Sequence, residues 1–105
     1  MPDLTRTFSA LGDPTRFAIV ERLLERGEQS AGALQDVAQI SAPAISRHLK
    51  VLFEAEVVAR RVDRQQRLYS VRPEAMKAIN AWAISHEEFW GQSLDRLAAA
   101  LEENK

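Results

Sequence analysis

The chain has 105 residues, 46 % of them hydrophobic and 28 % charged, with a formal net charge of -1. That is the make-up of a globular chain and not a disordered one, with room for one modest core in a single domain spanning residues 1–105. The absence of cysteine excludes disulfides, thiolate metal sites and thiol redox switching.

The N-terminal stretch Met1-Pro-Asp-Leu-Thr-Arg lacks the basic-then-apolar order of a signal peptide. No apolar run approaches the roughly 20 residues of a membrane span. The expected location is the cytoplasm, with no membrane partner. Leu4, Phe8 and Leu11 are spaced for one face of a first short helix, which Gly12 ends. Asp13 and Pro14 then read as a fresh N-cap followed by proline at the first helical position. From Thr15 to Arg26, Ile19, Val20, Leu23 and Leu24 fall on one side of a second helix. Arg16, Glu21, Arg22 and Glu25 fall largely on the other, and Gly27 is placed to end it with a left-handed residue.

Ser30 can cap a third helix whose Ala33, Leu34, Val37 and Ala38 face inward, and only Gln39 and Ile40 separate it from Ser41. Ser41 has the attributes of another N-cap, with Pro43 where a missing N–H costs nothing. Ile40 and Ile45 are spaced as a hydrophobic staple, and Ile45, Leu49 and Leu52 make one apolar face. The opposite face carries Ala42, Pro43, Ser46, Arg47 and Lys50. Small residues at its tip would let the backbone approach a DNA groove, while Arg47 and Lys50 reach base edges or phosphates. These residues alone fit an ordinary solvated surface helix equally well. Two short capped helices joined by a tight turn, over about 30–54, make a helix-turn-helix pattern, in which the second helix would enter the major groove.

Val57 to Val62 and Leu68 to Val71 are β-prone runs flanking Asp63-Arg-Gln-Gln-Arg67, which predicts a hairpin over about 57–72 with one half-buried face. Arg64, Gln66 and Arg67 at its tip suit a wing lying along a phosphate backbone; a merely solvated turn is the alternative. Charge distribution supports the wing. Between Ser41 and Arg72 there are seven Arg or Lys against three acids, which leaves the rest of the chain at minus five. Such asymmetry suits a phosphate-facing patch on an otherwise acidic protein.

A last periodic segment runs from about 74 to 101, which as one helix would be on the order of 40 Å long. Met76, Ile79, Ala83, Trp90, Leu94, Leu97 and Leu101 make a stripe that Trp82 and Phe89 widen. The Trp82 end is expected to serve the core. The stretch from Phe89 to Leu101 is expected to meet a second copy of the chain across a two-fold interface.

Several strings resemble the ArsR family of winged helix-turn-helix repressors. They are Ala10-Leu-Gly-Asp-Pro-Thr-Arg16, Ser41-Ala-Pro-Ala-Ile-Ser-Arg-His-Leu-Lys-Val-Leu52 with Glu54-Ala, and Arg67-Leu-Tyr69. The resemblance covers almost the whole chain. It implies a mainly helical fold with about five helices and a two-stranded wing, dimerised through the first and last helices. The implied function is a homodimeric transcriptional repressor of its own or neighbouring genes, on double-stranded DNA at an inverted-repeat operator. DNA-contacting positions carry over to Ala42, Pro43, Ser46 and Arg47, with Lys50, Arg61, Arg64, Gln66 and Arg67 as companions. The dimer interface carries over to Leu4, Phe8, Phe89, Trp90, Leu94, Leu97 and Leu101.

Two positions depart from the family pattern: Glu56 stands where a glycine commonly follows the recognition helix, and the wing tip lacks its frequent glycine. The segment that supplies thiolates in metal-sensing relatives corresponds here to Ser30 to Val37, with neither Cys nor His. In the last helix only His86, Glu87 and Glu88 remain, too few for a tetrahedral site. No cofactor or metal is therefore expected, and His86 and His48 are assigned structural roles. The effector, if one exists, would be a small organic molecule or a partner protein. An enzyme is not expected, because no nucleophile with its base and orienting group is present. The competing expectation is a protein-interaction module that uses the aromatic last helix to hold a different protein.

Overall fold

The computed structural model describes residues 3–103. Helices α1 (Leu4–Leu11) and α2 (Pro14–Arg26) precede a short strand β1 (Gln29–Ser30), helix α3 (Ala31–Leu34) and a 3₁₀ turn over Gln35–Val37. Helix α4 (Ala42–Glu54), strands β2 (Val58–Asp63) and β3 (Gln66–Val71), and helices α5 (Pro73–Ser85) and α6 (Glu87–Glu103) complete the order. The sheet is antiparallel in the order β1-β3-β2, with Gln29 opposite Tyr69 and Arg60 opposite that same residue from the other side.

Local chemistry sets the helix starts. The Asp13 carboxylate accepts from the Arg16 N–H, the Ser30 hydroxyl from Ala33 and the Ser41 hydroxyl from Ala44, each satisfying a donor that the first turn leaves free. The core gathers Ile19, Val20 and Leu23 from α2, Leu34, then Ile45, Leu49 and Leu52 from α4, with Val57, Val58 and Tyr69 from the hairpin. Burying each aliphatic side chain contributes roughly 1.5–3 kcal/mol. Together they fasten α4 by one face and leave the other in water.

Several expectations change. Leu24 is exposed, as is Ala33; on α2 the inward arc is filled by Ile19, Val20 and Leu23. The inward residues of α1 are Thr7 and Ala10, while Phe8 stays 40 % exposed. Gly27 has the positive φ expected of it, but with ψ at -157°, a region open to glycine alone and distinct from the left-handed helical one. The wing gains a third strand, β1, and its loop shortens to Arg64 and Gln65, since Gln66 and Arg67 already belong to β3.

The last helix is also broken. At His86 the backbone N–H turns to the Ala83 carbonyl instead of Trp82, because the Trp82 carbonyl already accepts from Ser85 Oγ at 2.8 Å and lies 2.9 Å from His86 Nδ1. Side chains that compete for a carbonyl interrupt the helical ladder. Helix α5 is anchored through Ala75, Met76 and Ile79, and Trp82 packs edge-on against Phe8 with ring centres 5.5 Å apart. Trp82 remains 43 % exposed, so it serves the core only in part. No residue of α6 is buried. The radius of gyration of 18.0 Å accordingly exceeds the roughly 13 Å of a compact chain of this length. No helix among the described residues is long and apolar enough to cross a membrane.

Candidate nucleic-acid interface

Helix α4 presents Ala42, Pro43, Ser46, Arg47 and Lys50 to solvent, while Ile45, Leu49 and Leu52 are at most 1 % exposed. The two-sided pattern read from the sequence is therefore physical. Two polar ties set how the helix sits. Arg16 donates Nε–H to the Ala10 carbonyl at 2.7 Å and brings Nη1 to 3.4 Å from His48 Nδ1. His48 in turn stands 3.8 Å from the Asp13 carboxylate. The Arg16 backbone N–H, and then its guanidinium, hold the Asp13 carboxyl below the usual carboxylate range. At the other end, Arg6 donates to the Glu54 carbonyl at 2.9 Å, capping the last turn of α4 from α1.

At the end of α4, Glu56 closes the helix where a glycine is common. Val57 N–H bonds the Leu52 carbonyl and Glu56 N–H the Phe53 carbonyl, the paired bonds of a Schellman motif. Its left-handed position is filled by Glu56 itself at φ 61°, a conformation that costs a non-glycine residue roughly 1–2 kcal/mol. Leu52 and Val57, both fully buried, supply the apolar contact that accompanies the motif.

Between α4 and the hairpin runs a groove of about 680 Å³ lined by Ser46, Lys50, Phe53, Arg60, Arg67 and Tyr69, among others. Three cations meet there against one acid, Glu54, which makes a 4.0 Å contact with Lys50. The pleat explains the set. Arg60 faces the same side as Tyr69, and Arg67, opposite Val62, falls on that side two residues along. Arg60 lies over the Phe53 ring. Arg47 continues the basic surface along α4, and among the described residues neither it nor Arg67 forms an ion pair. Arg64 tips the wing at φ 60°, with Gln66 beside it opposite Asp63.

Arg61, expected among the DNA-facing cations, lies on the opposite face of the hairpin from Arg60 and Arg67 and does not line this groove. It makes a two-pronged contact with Glu28, Nη2–Oε1 at 2.7 Å and Nε–Oε2 at 2.8 Å. That contact holds the Glu28 carboxyl below its ordinary range and the Arg61 guanidinium above its own. Arg60, part of the basic stretch but not among the expected contact residues, takes the groove face instead. The period-two alternation from buried Val58 was the signal that could have exchanged it for Arg61.

Most of the residues expected at a dimer interface are uncovered. Leu4 is half-buried, and Phe89, Trp90, Leu94, Leu97 and Leu101 on α6 are all at least 55 % exposed. A further apolar groove of about 530 Å³ lies among α1, α2 and α5, with Phe8, Phe17, Leu24, Met76 and Ile79 in its walls. His86, with its ring 5.0 Å from that of Trp82, is engaged within its own turn. No three His, Asp or Glu side chains cluster to hold a metal ion among the described residues.

A family described as a helix-turn-helix domain matches residues 11–61. The HTH-type transcriptional regulator Rv2034 of Mycobacterium tuberculosis is 36 % identical over 97 residues, covering 92 % of this chain and 87 % of the relative. The transcriptional repressor SdpR of Bacillus subtilis is 33 % identical over 82 residues, with 78 % and 90 % covered. Among solved structures, the ArsR family transcriptional regulator RHA00566 aligns with a TM-score of 0.73 at 27 % identity, covering 84 % of this chain and 90 % of that one.

Proposed function

Because this chain belongs to the ArsR family of winged helix-turn-helix transcriptional regulators, we propose that it acts as a homodimeric repressor. Its operator is an inverted repeat near its own or neighbouring genes. Each protomer lays α4 in a major groove, with Ala42, Pro43, Ser46 and Arg47 at the base edges. Lys50, Arg60 and Arg67 receive the adjacent phosphates, and Arg64 with Gln66 extends along the backbone. The observation that carries this reading is the groove between α4 and the wing, where three cations converge beside a helix face of small residues.

The uncovered stripe of α6 supports the second copy: its Trp90, Leu94, Leu97 and Leu101 are spaced four, three and four apart, as in the seam of a paired helix. We read the regulator as cytoplasmic and as sensing no metal, since residues 30–37 bear no thiol or imidazole. Three routes of control fit such a regulator: a small organic ligand, a partner protein, or simple autoregulation with no ligand. Footprinting the purified chain on the DNA upstream of its own coding region tests the proposal. A protected inverted repeat, with affinity falling steeply as salt rises and unchanged by chelator, is the expected result. A chain that sediments as a monomer and protects nothing favours instead a module whose α6 stripe holds a different protein.

A further inference from the structure

We propose that Arg61 is a positioning residue: its clasp on Glu28 fixes the pitch of the wing, so that the opposite face of the hairpin meets DNA while Arg61 itself does not. The inference rests on the DNA-binding reading for its consequence, and on the hairpin alone for its geometry. The hairpin is rooted by Val58 and Tyr69, which are buried, and by the pairing of β3 with β1. Beyond Arg60 and Leu68 that support ends, and Val62 is 68 % exposed. Arg61 sits at this boundary, opposite Leu68.

Glu28 stands between Gly27, where α2 ends, and Gln29, where β1 begins, so its carboxylate is attached to the body of the domain. A two-pronged contact between planar groups fixes direction as well as distance, which a single-pronged pair cannot do. Both partners are partly or largely solvent-exposed, at 58 % and 32 %, so the clasp adds little to global stability. Its effect is on the angle of a projection held on the other face by the Arg60–Phe53 stack alone. With its charge already matched by a carboxylate, Arg61 also has the least to offer a phosphate. Arg60 and Arg67, on the opposite face, line the groove and form no ion pair among the described residues.

The test is a double-mutant cycle on the full chain, with Glu28→Gln, Arg61→Gln and the pair together. Binding is measured to a random-sequence duplex of about 30 base pairs, roughly three helical turns, across a salt series. Exchange of the hairpin amides is measured without DNA. Each single variant is expected to bind roughly threefold or more weakly, the double no worse than either single, and the slope of affinity against salt to stay as in the parent. Amides of β2 and β3 beyond Arg60 should exchange faster in all three. If Arg61 touches phosphate directly, Arg61→Gln flattens the slope by about 0.9 while Glu28→Gln tightens binding, and the proposal falls. Should the parent chain bind no duplex at all, the regulator reading falls. Unchanged wing exchange in Glu28→Gln overturns the clasp independently of that result.

Discussion

Arg60 holds its guanidinium carbon 4.0 Å from the centre of the Phe53 ring. Arg60 belongs to the wing and Phe53 to the last turn of α4, so one contact joins the two elements that flank the groove. Stacking on the ring face uses the plane of the guanidinium and leaves its edge donors free for an anion. Replacing Arg60 by Ala should therefore weaken binding to every duplex alike and lower the salt slope by about 0.9. Phe53→Leu, which keeps the charge, should cost about 0.5–1 kcal/mol of affinity with the slope preserved. Fluorescence titrations at several salt concentrations separate the two.

Arg47 and Arg64 carry equal charge but stand on different elements, the exposed face of α4 and the tip of the wing. Arg47→Ala should cost about 1–3 kcal/mol on the operator and relax preference at one base pair of each half-site. Arg64→Ala should reduce affinity uniformly across sequences. Binding-site selection from a randomised pool, run on both variants, reads the difference directly.

Glu56 sits in the left-handed region at φ 61° and gains only a 4.0 Å contact with Arg72 from its side chain. Glu56→Gly removes the steric penalty and adds back some unfolded-state freedom. Urea unfolding should show a net gain of up to about 1 kcal/mol with an unchanged denaturant slope.

The Asp13 carboxyl is held below the usual range chiefly by the Arg16 N–H it accepts at 3.0 Å. A carboxyl depressed by folding stabilises the fold at pH above its unfolded value near 4, and that contribution disappears as pH falls through the lower folded value. Asp13→Asn keeps the cap but cannot titrate. Its melting temperature should lie below that of the parent at neutral pH, and the two curves should converge as pH falls below about 4, as followed by circular dichroism.

Leu94 and Leu97 are 64 % and 57 % exposed on α6. Exchanging both for Glu should leave the helical spectrum intact, because neither is buried within the chain. Sedimentation should report a dimer for the parent and a monomer for the variant. Loss of the link between half-sites should lower operator affinity by roughly a hundredfold or more.

What the sequence revealed depended on range. Ser41, Pro43 and the Ile45, Leu49, Leu52 face were legible because caps and helical periodicity are local signals, and α4 formed where they indicated. The strand Gln29–Ser30 left no trace, since two residues carry no alternation and their pairing partners are Tyr69 and Leu68. The break at His86 has no Gly or Pro to announce it; it arises from Ser85 and His86 turning back on one carbonyl. Arg16 reads as a solvent-facing residue until the fold brings Ala10 and His48 within its reach. Period-two alternation from Val58 separates the faces of Arg60 and Arg61, but Glu28, the partner of Arg61, lies 33 residues away and no local pattern points to it.

Gln39, Glu56 and Arg64 are the described non-glycine residues with positive φ. They stand before α4, after α4 and at the tip of the wing. Each joint of the reading apparatus is thus bent by a residue whose side chain leaves it a narrow conformational well, where glycine would have left a broad one. Such joints behave as detents more than hinges. A frame stiffened in this way has less disorder to forfeit on docking, and should adapt less readily to a surface that requires it to bend.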